Sequence, residues 1–586
     1  MSLCAFLDMF FNTKWMLLLT GGVVLAALLA YYPDLADDYD IWWHLKYGEH
    51  FIRYRTITVD PSIFSWTPAS SSWAYVTWIG SSVLFLVHAA GGYTALAVMQ
   101  WLVFFAMTGL FFLFLRSCQA PLAQIYLAGL LLTGVAMNSV AVYIKPELFS
   151  MLFFTIAAFV YFLSKVSRKN YFWIYPPLFA VWVNTHGGFV NGLTFITIAL
   201  VAETVCYACR DPDRMTWSLL LKLAFCVLLS CAAALLNPYG AVYWINILEN
   251  AAQGGSHIHS INAYTPLWGF LFPAGYPFRK TNTAWCMVLM AFVLLALAVA
   301  ARVQKKKTCL APLALNIIFF VLGFSVLRAS IYFCILWLFT SRYLLHLAGW
   351  RPSAFVNIAA FCFSLCLSGM ILYETAVYNT YNSWFGSRIR YFIPADAAAF
   401  VEQQKLPGPL FNDYLSGGYL IWALSSSKVF IDPRYGPYLQ TGVWHDYLAL
   451  VARGDLGMLD AKYRCNTAII MNTNYRLIKP FLKSPDWILV YFDAVDAVFV
   501  RTTCLNLPRA MEWRNLMRPE RFSAIASPRV LLGVFSLYCA FHPPSALKII
   551  AYYERNVRNC YCHKAADLRR MKAACRQLGI RQARLQ

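Results

Sequence analysis

The densest group of reactive side chains is the run Asp34-Leu-Ala-Asp37-Asp38-Tyr39-Asp40-Ile-Trp42-Trp43-His44, which directly follows the first apolar stretch. Carboxylates at the mouth of a membrane body can act as a general base or hold a metal. Asp38 and Asp40 could present a bidentate pair, and a divalent metal is the one cofactor that pair suggests. His44 comes four residues after Asp40 and shares its face if the segment is helical. Trp42 and Trp43 could stack on a sugar or sit in the bilayer interface. An acidic helix cap beside an aromatic belt is the alternative use of this run, although four acids exceed what one cap needs.

Further polar residues interrupt apolar surroundings. In Lys145-Pro146-Glu147, Lys145 could neutralise a phosphate, and Glu147 could orient it or pair with a metal. The plainer reading is that the two simply pair. In Trp182-Val-Asn184-Thr-His186-Gly187-Gly188 the glycine pair breaks an apolar run, and broken helices at membrane depth usually line a cavity. His186 could be a ligand or a proton carrier there, or make a helix-bridging hydrogen bond. Arg328 stands alone at the end of an apolar run, where it could clamp a phosphate or snorkel to the interface. Asn237-Pro238-Tyr239-Gly240 reads as a structural turn. Further on, Asp413 and the pair Asp432 and Arg434 stand at strand ends, where open α/β sheets bind ligands. Pairing of Asp432 with Arg434 is the structural alternative. No phosphate-cradling glycine loop, G-x-S-x-G elbow, H-E-x-x-H or G-x-G-x-x-G is present, which argues against an ATP-driven machine or a standard hydrolase.

The elements that must carry these residues are membrane helices. Of the 586 residues, 60% are hydrophobic and only 13% charged, against about 25% charged in soluble domains. A span needs roughly 20 apolar residues, and the candidates are 15–32, 94–115, 122–142, 148–164, 171–184, 189–209, 216–236, 284–301, 309–327, 330–349 and 353–373, of which 171–184 is short and could be interrupted. The apolar run 76–92 is short, ends in Gly91-Gly92, and reads as a helix in the interface. With the N-terminus in the cytoplasm, Arg116, Lys165, Arg168, Lys169, Arg210, Arg214, Arg302, Lys305 to Lys307, Arg342 and Arg351 all fall on the inside. That parity supports eleven crossings and places everything after about residue 374 outside the cytoplasm. The first run is too long for a cleaved signal and reads as a first span.

The sequence therefore divides into a membrane body, 1–373, with a large outer loop 33–93; an extracytoplasmic α/β domain, 374–504; and a helical basic segment, 505–586. The α/β domain shows strand-like runs at 428–431, 467–471, 487–492 and 497–501, with helical stretches such as 394–405 and 443–453 between them, and a mainly parallel sheet is expected. The net charge is +21, and the segment from Leu505 to Gln586 holds 15 Lys+Arg against 4 Asp+Glu. Attraction to anionic lipid headgroups or lipid-linked substrates is the simpler reading of that excess in a membrane protein, ahead of nucleic-acid binding. Most of the 17 cysteines lie in apolar runs and behave as small hydrophobes. Cys560-Tyr-Cys562-His563 is one residue short of a haem-attachment spacing and reads as a solvated pair or a local disulfide.

Taken together, the chain resembles the GT-C superfamily of polyprenyl-phosphate-dependent glycosyltransferases, and within it a largely uncharacterised bacterial group. The likeness rests on Asp38-Tyr-Asp40-Ile-Trp42-Trp43-His44-Leu45-Lys-Tyr-Gly48, Trp182-x-Asn184-x-His186-Gly187, Asn237-Pro238-Tyr239-Gly240 and Phe430-Ile-Asp432-x-Arg434-Tyr435, in that order. It covers roughly residues 30 to 500, and the first motif is the most specific. Lys145-Pro146-Glu147 stands where that group has Arg-Pro-Gln, so a bidentate donor is lost there. The resemblance implies an inverting transferase of the bacterial inner membrane. Asp38 or Asp40 would deprotonate the acceptor hydroxyl. Lys145, His186 or Arg328 would stabilise the departing lipid phosphate, and the soluble domain would recognise the acceptor.

Two other classes fit the composition. A secondary transporter or flippase of lipid-linked anions would carry its charges at the midplane of repeated broken helices, whereas no repeat is evident and these motifs gather at one face. A non-catalytic envelope assembly protein could keep the fold without the acids, which this chain retains.

Overall fold

The computed structural model describes residues 13–31, 39–70, 73–138, 144–253, 265–272, 278–303, 310–350, 352–378, 393–425, 427–472, 474–493, 495–504, 534–535, 538–539, 543–552, 554 and 565–577. The chain forms two compact units. One comprises residues 1–33 and 76–373, the other 34–75 and 374–586.

In chain order the helices are α1 (Lys14–Tyr31), α2 (Ile41–Tyr54), α3 (Trp78–Ser117), α4 (Gln124–Met137), α5 (Glu147–Ser167), α6 (Tyr175–Val183), α7 (Phe189–Ala208) and α8 (Trp217–Ala233). They continue with α9 (Ala241–Gln253), α10 (Phe278–Val303), α11 (Leu310–Ser325), α12 (Ser330–Leu347) and α13 (Ala354–Tyr378). All but α2 lie in or begin in the first unit. Each of the eleven expected spans is helical. Among the described residues, seven helices are long and apolar enough to cross a membrane, and α4, α8, α11 and the stretch Phe172–Val183 are shorter apolar helices. The last residues of the expected span 122–142 lie outside the described ones.

Two surfaces explain why these sequences form a membrane body. Inside, Phe154, Phe162, Trp182, Phe195, Phe319 and Phe339 interlock in one core. Outside, Leu18, Leu102, Leu113, Leu228, Phe292 and Ile317 are more than half exposed, apolar surface that water would penalise and lipid accepts. Helix α3 holds both the run 76–92 and the span after it in 40 residues, broken at Gly91 and Gly92. Gly92 has φ +62°, a left-handed backbone that glycine adopts without steric penalty.

The second unit carries a four-stranded sheet of β1 (Leu410–Asn412), β2 (Thr467–Met471), β3 (Trp487–Phe492) and β4 (Asp496–Arg501), in the order β1-β2-β4-β3. Only β1 and β2 are parallel; β4 is antiparallel to both β2 and β3. This corrects the expectation of a mainly parallel sheet. The link from Phe492 to Asp496 is a tight turn, whose Asp493 accepts backbone N–H bonds from Val495 and Asp496 at 2.7 and 2.8 Å. So short a link allows only an antiparallel pair. The run 428–431 is likewise not a strand. Val429 makes one isolated parallel bridge, to Ser65, and the edge strand is the three-residue β1.

Around the sheet lie α14 (Ala395–Gln404), α15 (Tyr414–Ala423), α16 (Val443–Arg453), α17 (Tyr475–Lys483), α18 (Pro543–Tyr552) and α19 (Ala565–Gln577). Helix α2 packs on α15, and the loop after α2 is sewn to the sheet edge. Trp66 Nε1 donates to Leu410 O (2.9 Å), and Thr67 Oγ1 to Phe430 O (2.6 Å). Tail residues Val534, Phe535, Tyr538, Ile549 and Met571 belong to the core that the sheet builds with Phe411, Phe481 and Phe499. Part of the basic segment, including residues 505–533 and the Cys560-Tyr-Cys562-His563 cluster, lies outside the described residues.

Candidate functional site

In the first unit, one polar cluster forms where several apolar helices end. Glu147 begins α5 behind Pro146, so its carboxylate faces the positive end of that helix. Arg328 sits in the single 3-10 turn Leu327–Ala329 that joins α11 to α12. The two form a bidentate pair, Nε to Oε1 at 2.6 Å and NH2 to Oε2 at 3.0 Å. Lys145 Nζ stands 3.9 Å from Oε2 of the same carboxylate. The expected Lys145–Glu147 pairing is thus present but loose, and Arg328 is the closer partner.

His186 lies in the break between α6 and α7. Its Nδ1 accepts the backbone N–H of Gly188 at 3.0 Å and lies 2.8 Å from Ser150 Oγ. Ser150 Oγ in turn accepts Trp182 Nε1–H at 2.7 Å, which leaves the hydroxyl proton for the imidazole. With Nδ1 an acceptor twice over, a neutral ring carries its proton on Nε2. The ring is within electrostatic reach of Glu147, Arg328 and Lys145, and Tyr332, which hydrogen-bonds Asn191, is within reach of Glu147 and Arg328. Among the described residues, two cations, Lys145 and Arg328, stand about the one carboxylate of Glu147.

Asn184 works as a staple. Its Nδ2 donates to Ala180 O and Leu236 O at 2.8 and 2.7 Å, and its Oδ1 accepts Trp78 Nε1–H at 2.8 Å. It holds the broken helix to the start of α3 and the end of the α8 segment. The neighbouring Asn237 closes its own turn by accepting Tyr239 N–H at 3.0 Å.

A second buried network appears in this unit that sequence reasoning left as loop charge. Lys165, in the last turn of α5, bonds Glu203 Oε1 at 2.6 Å and Asp213 Oδ2 at 3.2 Å. Tyr161 and Tyr343 donate to the same two carboxylates. Lys165 therefore belongs to a helix and is 2% exposed. The available signal was Glu203, an acid inside an apolar span. Eighteen residues separate Glu147 from Lys165, so the two networks sit at opposite ends of α5, about 27 Å apart at 1.5 Å per residue.

In the second unit, Asp40 stands at the N-terminus of α2, and its Oδ1 accepts Trp43 Nε1–H at 3.3 Å. Asp38 lies outside the described residues. His44 is buried one turn on, with Nδ1 2.7 Å from Tyr75 OH. Trp42 is buried edge-on against Tyr419, ring centroids 4.7 Å apart, while the Trp43 ring lies over His44. The Tyr414 hydroxyl donates to Pro433 O at 3.1 Å and lies in electrostatic reach of Asp40. Tyr414 and Tyr435 each meet Trp444 edge-on at 4.9 Å. Tyr435 takes φ +59° and ψ −59°, a conformation that non-glycine residues hold only where the surroundings enforce it. Sequence reasoning did not single out Tyr75, Tyr414 or Tyr435 as site residues, because no motif joins them to Asp40 and His44.

Asp413, Asp432 and Arg434 are buried in the same unit. Asp413 Oδ2 accepts Met471 N–H at 2.6 Å, and Oδ1 accepts from Asn474 Nδ2 at 2.8 Å and Tyr447 OH at 3.1 Å. Burial nevertheless pushes its carboxyl up to about 6, against the downward pull of those bonds. Arg434 grips Asp432 through Nε and NH2, each at 2.6 Å, and also reaches Tyr47, Tyr438 and the Pro61 carbonyl. The pair ties the segment 432–434 to α2 and the loop behind it. Among the described residues, no three His, Cys, Asp or Glu side chains form a metal-holding group.

No known family of sequences matches the chain, and no curated protein does. Among solved structures, an Archaeoglobus fulgidus oligosaccharyltransferase tethered to an acceptor peptide is similar at 12% identity, over 85% of this chain and 75% of its own, with a TM-score of 0.49. ArnT from Cupriavidus metallidurans bound to undecaprenyl phosphate is similar at 14% identity, over 85% of this chain and 100% of its own, with a TM-score of 0.47. The apo form of the same protein gives a TM-score of 0.37.

Proposed function

We propose that this protein is a GT-C-type membrane glycosyltransferase that moves a sugar from a polyprenyl-phosphate donor to an acceptor outside the cytoplasm. The observation that carries the reading is the gathering of Lys145, Arg328 and His186 about Glu147 within an apolar helical body. A site that gathers an Arg, a Lys and a His among apolar helices suits a phosphate attached to a lipid chain.

Charge development gives that site its chemical role. A sugar on a polyprenyl phosphate is a phosphodiester with one negative charge, and the lipid phosphate that leaves approaches two. Fixed cations that meet the growing charge stabilise the transition state more than the ground state. Arg328 would share its guanidinium between Glu147 and a phosphate oxygen, Lys145 would act as a point charge, and His186 would donate from Nε2. Asp40, or Asp38, would take the proton from the acceptor hydroxyl. The freed oxygen would attack the anomeric carbon as the bond to the lipid phosphate breaks, with inversion. Tyr414, within electrostatic reach of Asp40, would offer an aromatic ring to a sugar. The second unit would select the acceptor. Should Asp38 and Asp40 hold a divalent metal, it would supply added positive charge. The protein would sit in the bacterial inner membrane, N-terminus inside, with the C-terminal unit outside.

The test is sugar transfer from a polyprenyl-phosphate donor pool in membranes, comparing wild type with Asp38→Asn and Asp40→Asn at equal expression. Loss in either variant, with the protein folded, supports the enzyme and names its base. Unchanged transfer in both removes these acids from the chemistry. No transfer by wild type across varied donors moves the reading to transport or assembly.

A further inference from the structure

The tail holds two thiols for which the proposed reaction has no use. Cys539 follows Tyr538, whose ring meets Phe492 at the end of β3 edge-on with centroids 6.2 Å apart. Cys575 lies in the last turns of α19, 4% exposed, in the core shared with the sheet, and Cys539 packs against that core. The Cys539 thiol donates a hydrogen bond to Cys575, and both are free thiols here. The two sulfurs are in hydrogen-bonding contact on segments docked to one core, the close approach that a disulfide requires. Helices α18 and α19 pack together, and Lys572 pairs with Glu554 beside them.

We infer that Cys539 and Cys575 are joined by a structural disulfide in the mature protein. The inference rests on the reading that the C-terminal unit lies outside the cytoplasm, because disulfides persist in oxidising compartments. The oxidant is the disulfide of a thiol–disulfide oxidoreductase. The Cys539 thiolate attacks one sulfur of that disulfide, forms a mixed disulfide and releases the other sulfur as a thiolate. The Cys575 thiolate then attacks the Cys539 sulfur, closes the new bond and releases the oxidant as a dithiol. The pair loses two protons and passes two electrons to the oxidant. Cys539, the more exposed of the two, is the entry point, and buried Cys575 completes the exchange. The bond fastens a cationic helix with Arg569, Lys572 and Arg576 to the α/β unit, adding a covalent link to its apolar packing and the Lys572–Glu554 ion pair.

Trypsin separates the relevant thiols into distinct peptides: 530–548 with Cys539, 559–564 with Cys560 and Cys562, 573–576 with Cys575, and 502–509 with Cys504. The full chain is produced in bacterial membranes, acid-trapped, alkylated without reduction, and digested for mass spectrometry. In parallel, spheroplasts are treated with a membrane-impermeant maleimide to label the partly exposed Cys504. The expected result is a linked 530–548/573–576 pair that disappears on reduction, is lost in Cys539→Ser and Cys575→Ser, and survives in Cys560→Ser/Cys562→Ser. Free, alkylated Cys539 and Cys575 with Cys504 labelled in intact spheroplasts overturns the disulfide and leaves the topology standing. Cys504 labelled only after lysis, with both thiols free, overturns the topology and the disulfide with it. A crosslink from either thiol to 559–564 overturns the assigned pairing.

Discussion

Adding one methyl group at Gly418 should move the acidic motif. Gly418 lies in α15 with its α-carbon against the carbonyl of Tyr39, the residue between Asp38 and Asp40. A Cβ there would stand 2.3 Å from Tyr39 O and 3.4 Å from Trp43 Cδ1. A carbon–oxygen contact relaxes only beyond about 3.3 Å, so the carbonyl must retreat by about 1 Å. Overpacking of this kind costs about 1–3 kcal/mol. Alanine in place of glycine in a helix gains about 1 kcal/mol, so an absorbed clash would raise the melting temperature and a resisted one would lower it. A displacement of 1 Å in a reacting group can cost about 10²-fold in rate. The Gly418→Ala variant should therefore melt lower than wild type and transfer sugar about 10²-fold more slowly, in membranes matched for expression. Gly369→Ala, in α13, whose new Cβ meets nothing within 4 Å, is the control and should melt slightly higher and leave transfer unchanged. Transfer by Gly418→Ala within twofold of wild type would refute the claim that the position of the Asp38–Asp40 backbone matters.

Three further outcomes follow from buried charge. Arg328→Gln should destabilise the solubilised protein by about 3–5 kcal/mol, since it strands the buried Glu147, Glu147→Gln should cost less because Arg328 is partly exposed, and the double variant should lose less than the sum; additive losses in thermal unfolding would show that the pair is not coupled. Arg434→Met should speed hydrogen exchange in both α2 and 429–438, because it removes the donor that joins Asp432 to Tyr47 and the Pro61 carbonyl; unchanged exchange in α2 would show that Arg434 is not its anchor. Asp413 has its carboxyl raised to about 6 from 3.8, so the folded state binds that proton more tightly than the unfolded chain. Its stability contribution is greatest below pH 4 and declines through pH 6, by about 3 kcal/mol for a shift of about two pH units. The wild type should lose stability from pH 5 to 7 relative to Asp413→Asn in thermal melts; parallel profiles would contradict this.

Hydropathy made the membrane body legible, because a span must be apolar along its whole length and the eleven runs could be read one by one. The hydrogen-bonded company of each polar residue was not. Lys145 and Glu147 are two apart and invited pairing, yet the bidentate partner is Arg328, 181 residues away. The periodicity of α2 shows that one face is apolar but not that α15 covers it. The strand β1 is three residues long, too short for an alternating pattern to register, and its neighbour at 428–431 carried the stronger β signal without a ladder to join. Asp432 and Arg434 were legible as a pair because they are two residues apart, and the structure closes that pair at 2.6 Å.

The second unit is assembled from two stretches of chain that synthesis delivers far apart in time. Trp66 and Thr67 bond partners 344 and 363 residues downstream. At about 5–20 residues per second, the ribosome needs on the order of 20–70 s to make those partners. Throughout that interval α2 has its buried face, with Trp42, Tyr47 and Phe51, but neither α15 nor the sheet edge to cover it. The early loop must be sheltered while it waits, at the membrane surface or by a chaperone. Chains truncated before residue 410 should then present α2 to protease, which makes the last third of the sequence a quality check on the first tenth.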